Sequence, residues 1–152
     1  MGIVRRPLHS GWTVRVASGP APAEVAAAVV PATVPGVVHL DLLAAGLIPD
    51  PHLDVNEALL AWVGLVDWTY ATTLHTTGED LAADERHVLV LDGVDTVATV
   101  LLNGTVIAEV ANQHRTYRLD VTGILRPGDN ALEVRFRSPI RYANAQSLVY
   151  GA

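Results

Sequence analysis

The sequence predicts an all-β fold, an antiparallel sandwich or barrel. Three observations carry that prediction. From residue 67 onward, apolar residues recur with a period of two in several short runs. Compact turn signals separate the runs, Asn103-Gly104 being the strongest of them. The whole chain offers one convincing short helix.

The elements follow in order. Gly11-Trp12-Thr13-Val14-Arg15-Val16 alternates as a first strand. A stretch with Pro20, Pro22, Pro31, Pro35, Pro49 and Pro51 then reads mostly as loop. Within it, Val37 to Ala45 places Val38, Leu42 and Ala45 at helical spacing, and Gly46 supplies the C-terminal stop. Trp68, Tyr70, Thr72 and Leu74 share one face of a strand running from Asp67 to about Thr76. Beyond an acidic turn at Gly78 to Glu85, Val88-Leu89-Val90-Leu91 is apolar on both faces, the pattern of a central strand.

Thr96 to Leu102 leads into Asn103-Gly104 and then into Thr105-Val106-Ile107-Ala108. A two-residue type I′ turn needs positive φ at both central positions, which Asn and Gly adopt at the least cost. Thr116 to Val121 is a further strand, followed by the turn Arg126-Pro127-Gly128-Asp129-Asn130. In the final strand, Ala131 to Arg137, Leu132, Val134 and Phe136 alternate with Glu133, Arg135 and Arg137, so one face is buried. Ser138 to Ala152 shows no clear period. The organisation expected is a sandwich over 1–138 and a linker or truncated exit segment over 139–152.

Composition narrows the function classes. The chain has 152 residues, enough for one domain with a real core. No segment approaches the roughly 20 apolar residues of a membrane helix, and the most apolar stretch, Glu24 to Val38, is broken by Pro31 and Pro35. Arg5-Arg6 has no apolar run after it, so no signal peptide is expected. Gly2 does not suggest myristoylation, because position 6 is Arg. A net charge of −6 without basic runs argues against nucleic acid as a partner. With no cysteine, disulfides and thiolate chemistry are excluded, which fits a cytoplasmic location. All ten basic residues are arginine, a bias that suits a GC-rich genome better than a functional device.

Candidate chemistry is sparse. Asn56-Glu57 has the form of an acid/base pair, but no strand precedes it and Pro49 and Pro51 flank it. It is expected at a surface turn or a rim contact, within a stretch from Asp54 to Asp67 that is expected to form a surface loop, and no catalytic residue is assigned. The histidines at 9, 39, 52, 75, 87 and 114 fit no compact metal-ligand spacing. His39 and Asp41 lie two apart on the expected helix and so share no face. Neither a metal nor a cofactor is expected. No nucleophile elbow, P-loop or dinucleotide fingerprint is present. Asn103-Gly104-Thr105 matches a glycosylation sequon but is needed as the hairpin turn. Of the three tryptophans, Trp68 reads with Tyr70 as core, whereas Trp62, just ahead of the strand, suits either core or a sugar-facing rim.

Several stretches together resemble the N-terminal domain of glycoside hydrolase family 2 β-mannosidases. They are Val34-Pro35-Gly36-Val37-Val38-His39, Ala45-Gly46-Leu47-Ile48-Pro49-Asp50-Pro51, Asn56-Glu57, Trp62-Val63-Gly64, Asp67-Trp68-Thr69-Tyr70, Asp92-Gly93-Val94-Asp95-Thr96 and Asn112 with Arg115 and Tyr117. The resemblance runs from Trp12 to Pro139. It implies a jelly-roll, galactose-binding-domain-like sandwich, with an immunoglobulin-like domain and a (β/α)8 barrel as C-terminal partners in the same polypeptide. It also implies retaining hydrolysis of terminal β-mannosides by two barrel glutamates that this chain does not contain, mannose-containing glycans being met through the full enzyme. Asn56, Glu57 and Trp62 are the expected rim residues. A free-standing carbohydrate-binding module is the alternative.

Overall fold

The computed structural model describes residues 2–82 and 85–151. Among the described residues, eight strands form two antiparallel sheets. The larger sheet has the order β2-β1-β3-β8-β5-β6, from Val29–Ala32, Trp12–Ser18, Asp67–Thr76, Gly128–Phe136, Ala98–Leu102 and Thr105–Val110. The smaller sheet pairs β4, Val88–Leu91, with β7, Tyr117–Asp120. Register explains why one face of the large sheet is apolar. Val14 opposes Tyr70, Tyr70 opposes Val134, and Val134 opposes Val100, so the period-two residues of four strands line up on one side.

Two apolar clusters cover that side. One gathers Val100, Leu102, Val110, Leu132 and Val134 with Leu89 from the small sheet. The other gathers Val14, Val30 and Trp68 with Leu42, Ile48, Leu60 and Val63 from the helical segments. The large sheet is therefore roofed partly by the small sheet and partly by short helices.

The expected helix is α2, Val38–Ala44, after α1 at Ala23–Ala27. Its stop is a Schellman motif: Gly46 has φ +70°, Gly46 N–H donates to Leu43 O at 3.0 Å and Leu47 N–H donates to Leu42 O at 3.0 Å. The hairpin joining β5 to β6 is likewise as expected, with φ of 51° at Asn103 and 80° at Gly104.

Four differences correct the sequence reading. Besides α2 there are α1, α3 at Asn56–Leu59, a 3₁₀ turn at Ala61–Leu65 and α4 at Pro139–Tyr150. The segment expected as a linker or truncated exit segment carries a 12-residue helix. None of the α4 residues is buried, so no apolar stripe marked it. What makes it a helix is its ends: Ser138 caps it, Pro139 opens it and Gly151 closes it at φ +68°. Next, β4 is not central. It pairs only with β7, and Val88 and Val90 face outward, 41% and 43% exposed. Third, the turn before the last strand is shorter than expected, because β8 already begins at Gly128 and Asn130 is wholly buried. Finally, the stretch 54–67 is not a plain surface loop. Leu60, Val63 and Val66 enter the core while Leu53, Val55 and Leu59 stay exposed. Of the acidic turn Gly78 to Glu85, Ala83 and Asp84 lie outside the described residues.

Candidate functional site

The three expected rim residues stand on one segment, between α2 and β3. Asn56 is the first residue of α3, and its Nδ2 donates to Asp50 O at 2.8 Å, closing the proline-flanked loop on itself. That amide is committed to the backbone. Glu57, one residue on, is exposed. The 3₁₀ turn packs against α3 and presents Trp62 half-buried, its ring centroid 6.4 Å from that of Trp68 and tilted by 41°. Trp68 is core and donates its Nε1–H to Val63 O at 3.1 Å. The two tryptophans differ in burial. Trp68 fills the core, and Trp62 lies over it at the edge of the second cluster. No hydrogen bond joins Asn56, Glu57 and Trp62 among the described residues.

Asp41 is a residue that the sequence reading touched only as a rejected metal ligand. It is buried on α2, where Oδ1 accepts from Thr33 N–H at 2.8 Å and Oδ2 accepts from the Tyr70 hydroxyl at 3.1 Å. It thereby ties the loop that contains the cis Val34–Pro35 bond to the large sheet. Burial, then the Asp41 charge and the hydrogen bond to it, push the Tyr70 hydroxyl well above its ordinary pKa. Tyr70 is thus held as a neutral donor. A shallow hollow of about 270 Å³ beside Asp41 is lined by Pro31, Thr33, Pro35, Val37 and Leu40. Both Asp41 oxygens already have partners, so the group is a structural clamp. The signal for it in the sequence was a lone acidic residue on the inner face of an amphipathic helix.

His39, on the same helix, is half-buried, and desolvation lowers its pKa. Among the described residues, no three His, Cys, Asp or Glu side chains are grouped to hold a metal ion.

An antiparallel sandwich roofed in part by short helices is the architecture expected of a galactose-binding-like domain. The chain belongs to the glycosyl hydrolase 2 galactose-binding domain-like family, whose profile matches residues 12–151. Among similar proteins is β-mannosidase B of Thermothelomyces thermophilus, 39% identical over 132 residues, which are 87% of this chain and 15% of that protein. The β-mannosidase of Mus musculus is 37% identical over 92% of this chain, again 15% of its own length. The crystal structure of a β-D-mannosidase from Dictyoglomus thermophilum superimposes with a TM-score of 0.83 at 33% identity, over 92% of this chain and 16% of that one. An exo-chitosanase of Amycolatopsis orientalis superimposes with a TM-score of 0.69 over 86% of this chain and 16% of that one, at 23% identity, which shows the shared fold alone. The chain spans about 15% of the length of the curated relatives it matches.

Proposed function

We propose that this chain serves as the non-catalytic N-terminal domain of a retaining enzyme acting on terminal β-mannosides, where it braces the catalytic barrel and lends Asn56, Glu57 and Trp62 to the pocket rim. The observation that carries the reading is the match over residues 12–151, together with identities of 37% and 39% to β-mannosidases. Retaining glycosidases need two carboxyl groups held about 5 Å apart across the scissile bond. In the relatives, most of the polypeptide lies outside the matched region, with ample length for a barrel carrying such a pair.

The rim role rests on how residues 53–62 divide. Leu60 and Val63 anchor the segment in the core, and this leaves Glu57 and one face of Trp62 outward. Rings of this kind stack on the apolar faces of sugars, while a carboxylate accepts from hydroxyls. A rim touches only one side of a sugar, so the area buried is small and the cost of association consumes most of the gain. Calorimetric titration of the purified chain with mannose and manno-oligosaccharides is therefore expected to show no saturable binding below about millimolar concentration. Saturable binding at micromolar concentration would overturn this reading in favour of a free-standing carbohydrate-binding module.

A further inference from the structure

Three neighbouring strands of the large sheet end in one polar knot. Ser18 closes β1, Asp67 opens β3, and Ser138 follows β8. The Asp67 carboxylate gathers them. Its Oδ2 accepts from Ser18 Oγ at 2.7 Å, and its Oδ1 accepts from Ser138 N–H at 2.6 Å and from Arg141 Nη2 of α4 at 2.7 Å. Ser138, 1% exposed, completes the knot. Its hydroxyl donates to Gly64 O in the 3₁₀ turn at 2.7 Å and accepts from Arg141 N–H at 3.1 Å as the helix cap.

A second contact joins the same two elements. Ile140 of α4 sits so close over Gly64 that a Cβ there would lie 2.9 Å from Ile140 Cδ1. Gly64 does not have positive φ, and the atom above it is the mobile end of the partly exposed Ile140 side chain, so this contact is close but yielding. Beyond this first turn α4 is poorly held. It packs mainly on the 3₁₀ turn, buries no residue, and leaves Leu148, Val149 and Tyr150 at 89%, 72% and 79% exposure. Twelve residues of helix reach about 18 Å, attached at one end.

We propose that the Asp67–Ser138–Arg141 knot is a latch that fixes α4 on the sandwich and couples it to the Trp62 turn, so that the helix can be released and the turn disturbed while the sheets stay folded. Any chain following residue 151 would leave along a direction set by this latch. A displacement of α4 would reach the Trp62 turn through Gly64, and its meaning for sugar contact rests on the rim reading above. The latch is closed at neutral pH. Partial burial acts to raise the Asp67 pKa, but the hydrogen bonds from Ser138, Ser18 and Arg141, with the Arg141 charge, outweigh it and hold the group below its ordinary value.

Amide hydrogen exchange on the 152-residue chain, read residue by residue by NMR together with the Trp62 indole resonance, tests this without any sugar. It can therefore fail while the rim reading stands, and the reverse. In Asp67→Asn, protection of α4 amides is expected to fall at least about tenfold, with β3 and β8 amides unchanged within about twofold and the Trp62 indole signal shifted. Arg141→Ala alters only an exposed end of the knot, so it spares the fold even if Asp67→Asn does not; a smaller loss of about threefold, confined to α4, is expected. Unchanged α4 protection overturns the latch. Loss of protection in α4 and the sheets together makes them one cooperative unit and also overturns it. Release of α4 with an unmoved Trp62 signal overturns the coupling.

Discussion

The hairpin region and the Trp62 region of the sandwich are built by different means. Around the Asn103-Gly104 turn, two asparagines organise the backbone. Asn130, wholly buried, accepts at Oδ1 from Asn103 Nδ2 at 2.8 Å and from Arg126 N–H at 3.0 Å, while its Nδ2 donates to Arg126 O at 2.8 Å and Thr76 Oγ1 at 3.0 Å. Asn103 in turn accepts from Ala131 N–H at 3.0 Å. Around Trp62 the core holds the segment through Leu60 and Val63, and polar contacts reach only the far side of its turn, where Trp68 Nε1 donates to Val63 O at 3.1 Å and Ser138 Oγ to Gly64 O at 2.7 Å. The first region is closed upon itself. The second leaves Leu53, Val55 and Leu59 in solvent, 59% to 66% exposed.

The largest effect that would sharpen this contrast is at Asn130. Asn130→Ala removes a wholly buried carboxamide, so Arg126 N–H loses its acceptor and Asn103 Nδ2 keeps only Ile124 O. A loss of about 3 kcal/mol or more is expected, read as a lower urea midpoint at an unchanged slope. A loss under about 1 kcal/mol would show that the hairpin region does not depend on its network. Trp62→Ala is expected to cost less, about 1.5 to 2 kcal/mol, since only part of the ring is covered. A loss in the range of about 3 to 5 kcal/mol, typical of a core tryptophan, would erase the distinction between Trp62 and Trp68 and with it the rim reading.

The same contrast explains what the sequence disclosed. β1, β3, β5, β6 and α2 were legible because local propensity, periodicity and turn chemistry agreed in each. Gly46 and Asn103-Gly104 needed no tertiary knowledge, since positive φ is a local demand. Val88 to Leu91 misled because an apolar run does not say how many partners a strand will find, and β4 found only β7. Leu60, Val63, Val66 and Trp68 share no single period, because a helical turn, a 3₁₀ turn and a strand each present one or two of them to the same cluster. α4 was invisible to an apolar pattern, its folding signals being the serine cap, the proline and the final glycine. At the candidate site, Asn56, Glu57 and Trp62 were named from the sequence. Asp41 and Asp67 gained their roles only when distant residues came to meet them.

Whether this chain hydrolyses a glycoside by itself is decided by turnover of an aryl β-mannoside with the purified 152-residue chain. No release of the aryl alcohol above background is predicted, because a carboxyl pair spanning a glycosidic bond is required. Turnover that disappears on Glu57→Gln would contradict the account and make Asn56-Glu57 a catalytic pair.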